Sequence, residues 1–215
     1  MNLPEATLIT SRAAVLIALL LAGHVFADFL VQSGRVAREK GAHRRILVRH
    51  GALTMLTQVL VVWPCWNLLV LAGVLVIAVL HTLVDGFKPR VERRGVAPLP
   101  AFMIDQTVHA LVIAGVGSGL VALGALRDPW IELMRPGLQA YARWAVIAAG
   151  VVFNANGGTA IVRKLLEQYP QVLPGSRREA GFAGAGASTE ADELLGGEEP
   201  AYAMGRTIGV LERLL

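Results

Sequence analysis

Residues 13–31 read AAVLIALLLAGHVFADFLV, an apolar run broken only by His24 and Asp28. A helix needs about 20 such residues to cross the hydrocarbon core of a bilayer. Inside lipid the backbone must satisfy its own hydrogen bonds, so a helix is the default form of a crossing segment. Four further stretches of similar length follow: Ile46 to Trp63, Trp66 to Asp85, Phe102 to Leu126 and Tyr141 to Val162. The expected fold is therefore all-α, a polytopic transmembrane helix bundle of about five spans. The first run continues past any cut near Ala22 or Ala27, which favours a retained span over a cleaved signal peptide.

Composition agrees. Of the 215 residues 54% are hydrophobic and only 17% charged, against roughly 25% charged in a soluble domain. Mean hydropathy is +0.55. The single cysteine, Cys65, excludes an internal disulfide and a cysteine-based zinc site. The net charge of +4 comes with no nucleic-acid-binding motif, so nucleic acid is not an expected partner.

The basic residues lie between the apolar runs. Arg35, Arg38, Lys40, Arg44, Arg45 and Arg49 follow the first run, and Lys88, Arg90, Arg93 and Arg94 follow the third. The positive-inside bias places both loops in the cytoplasm, the N-terminus outside and the C-terminal tail inside. Trp63, Trp66, Trp130 and Trp144 all fall near the opposite interface, where an amphipathic ring is favoured. The run Arg35 to Arg49 reads as a topology signal that also touches anionic headgroups, making membrane lipid the one partner the sequence points to. Gly115 and Gly119 form a small-xxx-small pair suited to close helix packing. Asn156-Gly157-Gly158 reads as the end of the fifth helix or a kink in it. The transmembrane domain is expected over 1–165, a flexible cytoplasmic linker over 166–200, and a short amphipathic helix over 201–215 carrying Met204, Ile208, Leu211 and Leu215.

The ionisable residues within the spans share one depth. His24 and Asp28, His81 and Asp85, and Asp105 and His109 are each four apart, and so share a helix face. His50 opens the second span. The loop charges, read without these residues, put all seven within one or two turns of the cytoplasmic surface. His43 lies in the basic loop and is expected to be solvated.

Aspartate near the bilayer centre costs about 2–3 kcal/mol on insertion scales, so such groups face the bundle interior and pair. Neutral imidazole and carboxylate are ligands for divalent zinc or manganese. A hydrolytic site would use His24, Asp28, His50, His81, Asp85, Asp105 and His109 as ligands. Asp28, Asp85 or Asp105 would serve as ligand or general base, with ester or phosphoester as substrate. Seven candidates suffice for one ion with its outer shell, or for two ions. Gln32, Gln106, Asn154 and Asn156 are candidates for the outer shell. A lone His–Asp pair is more often a structural hydrogen bond. Three pairs and His50 together favour a metal site over a structural polar cluster and over an ion or proton path, since the outer halves of these helices are apolar.

The ordered set His24-Val-Phe-Ala-Asp28-Phe-Leu-Val-Gln32, His50, His81-Thr-Leu-Val-Asp85 and Asp105-Gln106-Thr-Val-His109 resembles the bacterial DUF3307 membrane family over roughly Val15 to Leu126. Gly157-Gly158 with Arg163, and Gly205-Arg206 through Glu212-Arg213, are similar to its C-terminal half. The resemblance implies a multi-pass protein of the bacterial inner membrane and brings no established activity. The family typically continues into further apolar segments, so a short or truncated member is implied. The intramembrane HxxxD pattern is also similar to that of membrane-bound metal-dependent hydrolases, an analogy at the level of fold.

Overall fold

The computed structural model describes residues 5–168. The chain forms α1 (Glu5–Phe26), α2 (Gly34–Glu39), α3 (Arg44–Val61), α4 (Leu68–Glu92), α5 (Pro98–Ala122), α6 (Pro129–Val152) and α7 (Gly158–Gln168). No strand occurs among the described residues, and the fold is an all-α bundle. The expected helix over 201–215 and nearly all of the expected linker lie outside the described residues.

Four segments are long and apolar enough to cross a membrane: Ala13–Val31, Leu68–Glu92, Pro98–Ala122 and Pro129–Glu167. The remaining expected span is α3, which forms as an 18-residue helix. Arg44, Arg45, Arg49, His50 and Gln58 make it the most polar of the long helices.

Helix ends follow local chemistry. Asn67 caps α4 by accepting from the Val70 amide at 2.9 Å, and its own amide donates to the Ala125 carbonyl at 2.8 Å, tying two turns together. Asp128 caps α6 through the Trp130 amide. Pro98 and Pro129 sit in the first turns of α5 and α6, where a missing N–H costs nothing. Gly95 and Gly124, at φ of 82° and 79°, close α4 and α5 in the left-handed conformation that glycine tolerates.

Two boundaries differ from expectation. α4 runs past Asp85 to Glu92, so Lys88 and Arg90 are helical rather than in a loop. The last long helix starts at Pro129, not Tyr141. Its first turns lie along the Trp63–Cys65 turn, where the Tyr141 hydroxyl donates to the Val61 carbonyl at 2.9 Å and packs on Trp63.

α1 is the central helix and touches α3, α5 and α6. Leu16, Leu19 and Leu20 of α1 are fully buried in one core cluster with Val70, Val74 and Ile77 of α4 and Ile113 of α5. Leu68, Leu111, Leu123 and Trp144 point outward, more than 60% exposed, as lipid-facing residues do. Close approach depends on glycines other than the expected pair. A Cβ at Gly73 or Gly117 would meet Leu120 or Ile17 within 3 Å, whereas Gly115 and Gly119 face open space. The expected small-xxx-small contact is therefore not made among the described residues.

Among the described residues the helices widen into π geometry twice. Ala27–Val31 and Phe153–Gly157 are π-helical turns, closed by bonds from the Gln32 amide to the Ala27 carbonyl and from the Gly158 amide to the Phe153 carbonyl. The helix thus continues through Asn156-Gly157-Gly158 into α7. The two turns meet through Phe29 and Phe153, whose rings lie edge to face at 5.2 Å.

Candidate metal centre

Four helices bring their polar residues to one end of the bundle. α1 supplies His24 from its last turn, and the π-turn after it supplies Asp28. α3 supplies His50, α4 His81 and Asp85, and α5 Asp105 and His109. All seven are buried, none more than 8% exposed. His43 is exposed, as expected.

Gly51 allows this convergence. A Cβ there would collide with the Thr82 hydroxyl, so glycine lets α3 lie directly against α4. His50 Nε2 and His81 Nε2 consequently approach to 3.1 Å. Each lies 3.4 Å from Asp28 Oδ1, and they lie 3.4 and 3.3 Å from Asp85 Oδ2. These five separations are edges of one four-atom figure. Tetrahedral zinc with bonds of about 2.0–2.1 Å has ligand–ligand edges of about 3.3–3.4 Å. Five of the six edges that a tetrahedral ligand set would have thus stand near that length.

A second group adjoins the first. His109 Nδ1 donates to the Asp105 carbonyl at 2.8 Å. With Nδ1 protonated, Nε2 carries the lone pair. That Nε2 is buried without a hydrogen-bond partner, and so are Asp85 Oδ1 and Asp105 Oδ1. Asp85, Asp105 and His109 each offer an atom within 4.8 Å of the others, as do His24, Asp28 and His81. His81 is the hub, with its ring 4.2 Å from His109, 5.2 Å from His50 and 5.3 Å from His24. A buried unpaired polar atom costs about 1–3 kcal/mol, so several in one pocket mark a place built for a ligand.

The feature missed in the sequence is Lys40. It belongs to the run expected to sit in solvent, yet its side chain folds inward. Nζ donates to Asp85 Oδ2 at 2.8 Å and Gln32 Oε1 at 2.9 Å, and lies 3.3 Å from His50 Nε2. Burial alone would lower its pKa, but the Asp28 and Asp85 carboxylates outweigh burial and hold it above the ordinary lysine value. Its one sequence signal is being the single lysine among arginines between residues 35 and 49. Lys88, one turn beyond Asp85, donates to Asp105 Oδ2 at 3.0 Å.

Of the expected outer-shell groups, Gln32 accepts from Lys40, and Gln106 donates to Asp105 Oδ2 at 3.3 Å. Asn156 lines an adjoining cavity, while Asn154 is exposed. That cavity, about 380 Å³, opens onto Asp28, Asp105 and Lys40 and carries Lys88, Arg163 and Lys164 on its wall. Polarity reaches deeper than expected along α3, where Thr54 and Gln58 continue the buried stripe of His50. Beyond Gln58 the interior is the apolar core of Leu16, Leu19 and Val62.

A family model described as a protein of unknown function, DUF3307, matches residues 15–130, a span that holds all seven residues. No curated protein and no solved structure matches the chain. The match covers more than half of the sequence, and with the ordered His and Asp motifs inside it the chain belongs to the DUF3307 family.

Proposed function

We propose that this protein is a membrane-embedded, divalent-metal-dependent hydrolase of phosphoesters presented at the cytoplasmic headgroup level. The observation that carries the reading is the 3.1–3.4 Å spacing of His50 Nε2, His81 Nε2, Asp28 Oδ1 and Asp85 Oδ2. Two neutral imidazole nitrogens and two carboxylate oxygens suit zinc or manganese. Divalent ions held in this cluster would supply a water whose pKa falls toward about 7 and would polarise the ester oxygen. The chain's own groups do the rest. Asp105 borders the cavity, where its unpartnered Oδ1 is available to the ion that carries the attacking water. Lys40, Lys88, Arg163 and Lys164 outnumber Asp28, Glu92 and Asp105 on the wall by one, which favours a phosphate over a neutral ester. The basic residues that surround this end of the bundle support its cytoplasmic placement.

Elemental analysis of protein purified in detergent without added metal tests the reading. At least one zinc or manganese per chain is expected, lost in the His50→Ala, His81→Ala double variant. Less than a tenth of an ion per chain, unchanged after incubation with Zn²⁺ or Mn²⁺, would sink it.

One observation favours a rival. The Lys40 ammonium already gives Asp85 a cationic partner, so the cluster would serve as a structural polar core whose matched apolar replacement is tolerated. A proton or ion path receives less support, because the buried leucines beyond Gln58 carry no polar relay.

A further inference from the structure

The four-atom cage already has its full number of protein ligands. Its atoms come from four side chains, the ligand number of a closed site. Catalytic zinc keeps three protein ligands and leaves one position for water or substrate. A hydrolase built only on the cage would lack that position.

The neighbouring group has the missing property. Asp85 gives Oδ2 to the cage and keeps Oδ1 buried and unpartnered. Asp105 gives Oδ2 to Lys88 and leaves Oδ1 unpartnered. The His109 tautomer is set by the Asp105 carbonyl, which leaves the lone pair on a buried, unpartnered Nε2. Each of the three residues offers a donor atom within 4.8 Å of the others, and Asp105 also lines the cavity.

We infer a binuclear centre in which Asp85 bridges two divalent ions: a closed cage ion held by Asp28, His50, His81 and Asp85, and an open ion held by Asp85, Asp105 and His109 that faces the cavity. This rests on the metal reading above and assigns the chemistry to the second ion. A carboxylate that bridges through its two oxygens sets ions about 3.5–4 Å apart, the separation of two-metal phosphoryl chemistry. Charge points to the same substrate class. Asp28, Asp85 and Asp105 against Lys40 and Lys88 leave the cluster one net negative charge, and two divalent ions turn it positive. An anionic phosphate ester restores balance where a neutral ester does not. His24, stacked on His109 at 5.0 Å, holds that ring in place.

Manganese alone is the probe. Detergent-purified full-length protein is stripped, reloaded with Mn²⁺ and studied by elemental analysis and electron paramagnetic resonance. The inference expects two ions per chain and an exchange-coupled signal. His109→Gln and Asp105→Asn should each bind one ion and give the isolated six-line signal. Wild-type protein that binds one ion, with the six-line signal and no change in either variant, overturns the second site and leaves the cage intact. Wild-type protein that binds none overturns the metal reading itself. The wild-type stoichiometry decides the matter even if a variant fails to fold.

Discussion

Replacing Lys40 by methionine separates a metal centre from a structural ion pair, because the two assign opposite roles to the same ammonium. Lys40 Nζ lies 2.8 Å from Asp85 Oδ2, with side chains 9% and 0% exposed. Removing one partner of a pair this buried costs about 3–5 kcal/mol, since the surviving charge is left uncompensated. In a chain of this size each kcal/mol moves the melting temperature by about 2–4 °C. Lys40→Met should therefore melt about 6–20 °C below wild type when the protein is held in EDTA. With Zn²⁺ or Mn²⁺ bound, the ion compensates Asp85 in place of the ammonium, and the deficit should fall by more than half. The folded pKa of Lys40 is raised, so its contribution is complete below the unfolded lysine value and is lost only as pH rises through the higher folded one. Between about pH 7 and 9 the EDTA deficit is accordingly flat. The assay is intrinsic-fluorescence melting in one detergent at one scan rate. An equal deficit with and without metal would refute the reasoning and leave Lys40 as the structural counter-ion of an ion-free core.

Other consequences follow from the packing. Gly51→Ala should force α3 from α4 at Thr82, costing about 1–3 kcal/mol as overpacking does and weakening metal retention against a chelator. Gly115→Ala, which meets nothing, should stay within about 0.5 kcal/mol in melting. His81→Ala removes the hub of the cluster. Structural zinc sites hold their ion with about 10–16 kcal/mol over four ligands, so metal affinity should fall at least a hundredfold in chelator competition. Cys65 is fully buried, and burial pushes its thiol up to about 11. Maleimide at neutral pH should leave it unlabelled in the folded protein and label it fully in denaturing detergent.

The helices were legible because apolar length alone specifies a span, and the residues that meet at the site were legible because four-residue spacing fixes a face. What escaped the sequence depends on tertiary contact. Lys40 counts as a surface charge until the short α2, capped by Ser33, turns its end back over the cluster. Lys88 counts as a loop residue unless α4 continues through Pro89, a residue whose missing N–H and ring ordinarily end a helix. The useful glycines were those facing another helix, Gly51, Gly73 and Gly117, and a linear pattern cannot tell these from Gly115 and Gly119. The π-turn over Ala27–Val31 has no glycine or proline to announce it.

That π-turn bears on the chemistry. In an unbroken α-helix Asp28 would stand directly over His24, and both would address the same neighbour. Widening the helix from Ala27 onward changes the angle at which Asp28 leaves the axis. Asp28 Oδ1 reaches His50 on α3 as well as His81 on α4, 3.4 Å from each, while His24 keeps its ring on His109 of α5. A π-turn sacrifices regular hydrogen bonding and is found most often where function requires it. Here one helix serves two adjacent groups of donors, which an ideal helix with the same residues would not do. The second π-turn, at Phe153–Gly157, seats Phe153 against Phe29 beside Asp28 and braces the first from outside. Its neighbours Asn156 and Thr159 enter the cavity wall. The two irregular turns thus pack as one unit beside Asp28, through the Phe29–Phe153 contact.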